Sequence, residues 1–326
     1  MIAIEISSFG PPEVLRPADV AKSVAGPGDV VISVKAAGVA RADTLQRQGK
    51  YPPPPGASEI PGLDVAGQID SVGPGVTSWK PGDSVCAILS GGGYAEFCAV
   101  PAVQVLPLPQ GWTFAEAVTL PENLFTVYDN LVTRAGLTSG ETALIHGGAS
   151  GIGSMALMVS RFLRAEAFAT AGSDAKCGAC LTFGANHAIN YRTSDFVQEV
   201  KRKTGGRGVD VILDLVGGDY LGKNLDVLAT EGRIAVIATQ GGRTAQLDLG
   251  ALMRKRCRVI GSTMRARSSE EKGRVAERLL KRIWPALPTK DPIRPVIDSQ
   301  FPLTDAAKAH ARMESGEHIG KIVLVP

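Results

Sequence analysis

The stretch that decides the fold is Thr142-Ala-Leu-Ile-His-Gly-Gly-Ala-Ser-Gly-Ile-Gly153. Ala143, Leu144 and Ile145 make a short apolar strand that runs into a glycine-rich turn. Behind the turn, Ile152, Met155, Ala156, Val159, Phe162 and Leu163 recur at helical spacing. Strand, glycine turn and helix in that order are the context a dinucleotide pyrophosphate needs. Gly148 turns where a side chain would clash, while Gly151 and Gly153 let backbone N–H groups and the helix N-terminus approach phosphate oxygens. The expected phosphate-side contacts are therefore Gly148, Ser150, Gly151, Ile152 and Gly153. The pattern departs from strict G-x-G-x-x-G, because Ser150 holds the middle glycine position. Glycines also serve ordinary strand-to-helix turns, so this one takes its meaning from the repeats around it.

Those repeats run from about residue 125 to 262, with strands expected at 143–146, 167–170, 188–190, 209–214, 233–238 and 258–262. Helical patterns separate the first five, the last of them at 220–228. Such alternation implies a Rossmann-type, doubly wound parallel sheet in an α/β protein. Residues 1–120 have another texture: alternation at Val30, Ile32 and Val34, many prolines, and turns at Pro27-Gly28, Pro74-Gly75 and Pro81-Gly82-Asp83. The remainder holds helices at 270–283 and 304–313 and a final strand, 321–325, expected to return to the first domain. The expected domains are 1–122, β-rich, then 123–263, nucleotide-binding, then 264–326, returning to the first.

Composition sets the class. A chain of 326 residues, 44% hydrophobic and 21% charged, is comfortable as two globular domains. The net charge of +3 is too small to argue for nucleic acid or a membrane surface. The start, Met1-Ile-Ala-Ile-Glu-Ile-Ser, lacks a basic n-region and a long apolar core, and the best apolar run is broken by Lys35, so a cytoplasmic protein is expected. Cys177 and Cys180 form a C-x-x-C on an expected helix with no second pair at zinc spacing, which favours small buried residues over a redox or metal site. His146 and His187 lack paired ligands and read as structural. The basic cluster Arg254-Lys-Arg256, with Arg258, Arg265 and Arg267, is short and lacks interleaved aromatics. It reads as a solvated face, or as a contact to cofactor phosphates by Arg265, rather than a nucleic-acid surface.

The choice of cofactor turns on the end of the second strand. An NAD site carries an acidic residue there for the ribose 2′-OH. Here the strand ends Thr170-Ala-Gly-Ser173, followed by Asp174 and Lys176. Gly172 and Ser173 leave room and a hydroxyl, and Lys176 offers a positive charge to a 2′-phosphate. Tyr191, just past the third strand, can pack against the same group. Ser173 could equally cap its helix with Lys176 solvated, and Asp174 keeps NAD open, but the pattern favours NADPH.

Several marks then carry a resemblance: Arg41-Ala-Asp-Thr-Leu-Gln-Arg-Gln-Gly-Lys-Tyr51, Pro52-Pro-Pro-Pro-Pro-Gly-Ala-Ser58, Pro61-Gly-Leu-Asp-Val-Ala-Gly67, Leu120-Pro-Glu-Asn-Leu-Phe-Thr126 and His318-Ile-Gly-Lys-Ile-Val-Leu324. Over essentially its whole length the chain resembles the zinc-independent NADPH:quinone oxidoreductases of the medium-chain dehydrogenase/reductase superfamily, in the p53-inducible quinone reductase group. The resemblance implies a GroES-like catalytic domain beside the Rossmann domain, and a homodimer joined through the last strand of the nucleotide domain. Zinc-dependent relatives carry Cys where this chain has Ala40 and His-Glu where it has Leu63-Asp64, and they have a four-cysteine lobe that is missing here. With no metal to polarise a carbonyl, acceptors already electrophilic enough to take a hydride are expected, quinones first.

The resemblance also assigns roles. NADPH lies with its nicotinamide C4 facing a pocket walled by the first domain. Tyr51 matches the tyrosine that lines the quinone pocket, where it could stack on the acceptor or donate to its oxygen; packing on the proline run is the alternative. Thr126 matches a position near the nicotinamide carboxamide, or is a plain helix-face hydroxyl. Ala238, Gly241 and Gly242 follow a late strand where the chain passes the nicotinamide ring. Lys321 matches a basic residue near the cofactor phosphates, or simply opens a strand. Asp43 belongs to the Arg-Ala-Asp motif as a structural residue. Many relatives have asparagine at Ala40, and alanine offers no such amide. The rival activity is reduction of activated C=C bonds in enones, alkenals or enoyl thioesters; the non-enzymatic rival is a nucleotide sensor or RNA-binding protein on the same fold.

Overall fold

The apolar segments of the middle third assemble into one six-stranded sheet in the computed structural model, which describes residues 1–326. In spatial order its strands are His187–Asn190, Glu166–Ala171, Thr142–Ile145, Val209–Asp214, Leu228–Val236 and Arg258–Gly261, all parallel. Thr142–Ile145, the first of these six in chain order, lies between the second and the fourth, so winding reverses there and the carboxyl ends of the strands part. Leu144, Phe168, Ile212 and Ile234 are at most 1% exposed, as a sheet covered on both faces requires. Leu144, Phe168, Phe196, Val200, Leu225 and Ile234 share one core cluster.

The fifth strand departs from expectation. It starts at Leu228, not 233, and ends at Val236, so Ala238 lies beyond it in the following loop. Leu228-Ala-Thr-Glu-Gly232 looks like a helix end and turn, yet Leu228 pairs with Val209. The strand absorbs the irregularity through a register shift between Val209 and Val211 and a left-handed Glu231 at φ 62°. The preceding helix accordingly ends at Val227.

This sheet belongs to a compact unit of residues Thr126–Thr263 and Asp291–Arg294. The other unit, Met1–Phe125, Met264–Lys290 and Pro295–Pro326, is built on a second sheet. There the long strand Asp29–Val39 pairs antiparallel with Asp64–Val72, with Phe97–Pro101 and with Lys321–Val325. Ser84–Ile88 and Val105–Pro107 extend it on one side, and Ile297–Pro302 lies parallel to Lys321–Val325 at the other edge. The alternation of Val30, Ile32 and Val34 is one face of this sheet, buried with Val65, Val85 and Leu324. Lys321–Val325 thus ties the end of the chain to its first hundred residues. The helix Ser269–Arg282 opens on Ser268, which accepts from Glu271 N–H while the Glu271 carboxylate accepts from Ser268 N–H. No helix is long and apolar enough to cross a membrane.

Candidate active site

The glycine turn is packed tightly. A Cβ at Gly153 would sit 2.1 Å from the Gly147 carbonyl oxygen, and one at Gly148 would sit 2.8 Å from both Ala169 Cβ and Cys180 Sγ. Glycine at both places lets the helix Gly151–Phe162 start directly over the strands. Gly147 itself turns at φ 62°. Ser150 caps the helix, its Oγ accepting from Gly153 N–H at 3.0 Å. The first-turn N–H groups of Gly151 and Ile152 have no acceptor within the helix, so an anion such as pyrophosphate fits this end.

At the end of Glu166–Ala171 the structure brings together Gly172, Ser173, Lys176 and Tyr191. Tyr191 N–H donates to Ala171 O, and a Cβ on Gly172 would come 2.8 Å from the Tyr191 hydroxyl. Ser173 caps Asp174–Thr182 by accepting from Lys176 N–H, and its hydroxyl proton stays available to an acceptor. Asp174 Oδ1 accepts from Asn190 Nδ2 at 2.7 Å, so the one carboxylate near the strand end is turned to the third strand. Cys180 is fully buried against the turn, and burial pushes its thiol up to about 12.

The loops after the fourth and fifth strands are stitched together. Asp214 Oδ1 accepts from Val216 and Gly217 N–H, and Gly241 N–H donates to Val216 O at 2.7 Å. Gly217 and Gly242 then pair as a parallel bridge. Asp214 Oδ2 takes the Asn224 amide, whose Oδ1 lies 2.7 Å from His146 Nε2. This chain fixes the loop bearing Gly241 and Gly242, and it makes His146 a structural link. Thr126 lies in the last turn of the helix Pro121–Val127, and its carbonyl accepts from Asn130, which also holds Ser262.

The other unit gathers Tyr51, Arg265, Lys321 and Asp43. Half-buried Tyr51 lies under the Arg265 guanidinium, 5.3 Å from the ring centre. Arg265, expected at a surface or beside phosphates, is instead 4% exposed, and it donates to Ser90 O, Tyr51 O and Gln46 Oε1. Lys321, expected near phosphates or as a plain strand-opening charge, is 3% exposed and ion-paired with Asp64 at 2.8 Å and Glu122 at 3.3 Å. Burial alone would lower the pKa of this ammonium, but Asp64 and Glu122 carry it above the usual lysine range. Charges taken from water this completely need partners inside the protein, and both side chains have them. Asp43 accepts from Ala40 N–H, Gly62 N–H and the Tyr94 hydroxyl, which pins the loop in front of Ala40.

Sequence reasoning missed Asp64 and Glu122 as the partners of Lys321, and it missed Lys272, a buried lysine at Ser90. Asp64 and Glu122 stand inside quoted motifs, but Glu122 is 199 residues from Lys321 and no spacing links them. Lys272 carries a faint signal, since it falls on the apolar stripe of its helix with Val275, Ala276 and Leu279. No group of three His, Cys, Asp or Glu side chains is placed to hold a metal ion.

Comparison with known proteins finds relatives that match the chain over its whole length. A family model described as alcohol dehydrogenase GroES-like domain matches residues 26–110, and one described as zinc-binding dehydrogenase matches 183–324. Quinone oxidoreductase of Rattus norvegicus is 33% identical, covering 100% of this chain and 98% of its own. The structure of Escherichia coli quinone oxidoreductase complexed with NADPH superposes with a TM-score of 0.86 at 29% identity over 100% of both chains. The apo JamJ enoyl reductase gives 0.88 at 28%, covering 99% of this chain and 98% of its own. Fold and relatives together define an oxidoreductase of the medium-chain dehydrogenase/reductase superfamily. Within it, the chain belongs to the quinone oxidoreductase family.

Proposed function

We propose that this protein reduces quinones with NADPH and without a metal ion. The observation that carries the reading is the end of the second strand. Gly172, Ser173, Lys176 and Tyr191 stand together there, and Asp174 is drawn off by Asn190. A 2′-phosphate would meet the Ser173 hydroxyl and the Tyr191 phenol at this place, with Lys176 one helical turn on, whereas the Asp174 carboxylate is engaged through Oδ1 with Asn190. Gly148, Ser150, Gly151, Ile152 and Gly153 hold the pyrophosphate, and Thr126, Ala238, Gly241 and Gly242 border the nicotinamide. When bound, the reduced nicotinamide supplies a hydride; the chain supplies orientation and a dry surface. Tyr51 meets the acceptor, stacking on its ring or donating to its oxygen. Arg265 and Lys321, already partnered, act through Tyr51 and through the sheet rather than on phosphate. With Ala40, Leu63 and Asp64 at the family's ligand positions, the thiolate and imidazole zinc needs are missing. The working form is a homodimer.

A second reading, reduction of activated C=C bonds, is favoured by the likeness to the JamJ enoyl reductase. Steady-state NADPH oxidation with 1,2- and 1,4-quinones beside enones separates the two. Fast turnover with quinones is expected; turnover with enones alone would replace this reading by the second.

A further inference from the structure

Two cations are buried here without a direct ion pair: Arg265, over the Tyr51 ring, and Lys272 behind it. Arg265 makes three hydrogen bonds, all to neutral acceptors: Nε to Ser90 O at 2.8 Å, Nη1 to Tyr51 O at 3.2 Å, and Nη2 to Gln46 Oε1 at 2.7 Å. Lys272, 1% exposed, donates to Ser90 Oγ at 2.5 Å and to the Arg265 carbonyl at 3.0 Å. Ser90 Oγ donates to that same carbonyl at 2.9 Å, so Lys272 and Ser90 fix the main chain of Arg265 as Arg265 fixes that of Tyr51. Burying a cation without a direct ion pair is costly, and hydrophobic packing would serve a merely structural wall better. A planar guanidinium that bonds the Tyr51 carbonyl and lies over its ring sets both the place of the side chain and the field it feels.

We propose that Arg265, backed by Lys272, is the positioning residue of Tyr51: it fixes the phenol toward the acceptor and favours release of its proton to the acceptor oxygen. This rests on the reading that Tyr51 meets the acceptor. Burial raises the pKa of the Tyr51 hydroxyl; Arg265 opposes the rise and Glu122 adds to it. Asp43 and Glu59 face Arg265, while Arg267 and Glu271 face Lys272. The proton accounting closes: the quinone is reduced by the hydride, which brings two electrons and one proton, and the cofactor is oxidised. The Tyr51 O–H bond breaks as an O–H bond forms on the second quinone oxygen, and water re-protonates the phenolate.

The test compares Tyr51→Phe, Arg265→Gln, Arg265→Lys and the Tyr51→Phe/Arg265→Gln double variant, with a 1,4-quinone at saturating NADPH over a range of pH. Tyr51→Phe is expected to lower kcat about a hundredfold, as loss of a proton donor does. Arg265→Gln is expected to lower kcat about tenfold and to move the alkaline limb of its pH profile upward, with the Kd for NADPH unchanged. In the Tyr51→Phe background the same change should cost nothing more. Arg265→Lys keeps the charge and loses the fork; it should fall between wild type and Arg265→Gln, and it carries the test if Arg265→Gln does not fold. A raised Kd for NADPH with unchanged kcat would return Arg265 to the phosphates and overturn the proposal. Equal loss of kcat in both backgrounds would also overturn it, as a general effect on the fold. An unchanged kcat in Tyr51→Phe would remove the role of Tyr51 itself and the proposal with it.

Discussion

Gly153 and Gly178 show how differently two helix glycines depend on their surroundings. A Cβ at Gly153 meets the Gly147 carbonyl at 2.1 Å, whereas one at Gly178 meets nothing within 4 Å. Gly153→Ala is therefore expected to displace the helix from the turn and abolish NADPH binding by calorimetry. Gly178→Ala should leave binding intact and raise stability by about 1 kcal/mol in a denaturant titration. At the 2′-phosphate end, Lys176→Ala should raise the KM for NADPH about tenfold, the worth of one charge-assisted bond, and leave the KM for NADH unchanged. Equal effects on both cofactors would assign Lys176 to the surface. Gly148 was legible in sequence as a place where a side chain would clash, because close backbone approach is a local demand. Lys321 was not, because its surroundings come from Asp64 and Glu122 on distant elements.

The helix Ser269–Arg282 carries its own titration. Burial first, then Arg265 and Arg267, lower the Lys272 pKa from 10.5 to about 8. Between those values the unfolded chain binds more protons than the folded one, so stability rises with pH. Below about 8 the folded protein bears the full cost of the buried cation. Lys272→Met should therefore raise the unfolding midpoint at pH 7, with a gain that shrinks toward pH 10. A difference constant with pH would mean that Lys272 titrates as an exposed lysine. The helix itself was expected at 270–283, close to its observed bounds, although its buried stripe includes a charge. The fifth strand was half readable: Ile234 and Val236 have strand texture, but Leu228 was expected to end a helix, and its pairing with Val209 makes it strand.

For the whole chain, strand–helix alternation was enough to imply a doubly wound parallel sheet, because right-handed crossovers leave few topologies. In the β-rich unit the texture and the return of the last strand to the first domain were legible, and Ile322 does pair with Val39; the registers were not, since antiparallel partners such as Ile32 and Cys98 lie too far apart in sequence to be matched. Arg258–Gly261 ends its sheet with one edge unpaired and Val259 38% exposed; beside it in sequence, Leu249 and Met253 are 63% and 74% exposed. Such an edge suits a second copy of the chain. Sedimentation should give twice the 34.1 kDa chain mass, and Val259→Lys should halve it. A wild-type protein sedimenting at one chain mass would remove the dimer. The central claim is metal-free hydride transfer from NADPH to a quinone, and stopped-flow oxidation of reduced cofactor by chelator-treated protein tests it most directly. Rapid quinone-dependent oxidation of NADPH, slow with NADH and unchanged by added zinc, is the expected result. Oxidation that requires added metal, or that runs equally with NADH, would contradict it.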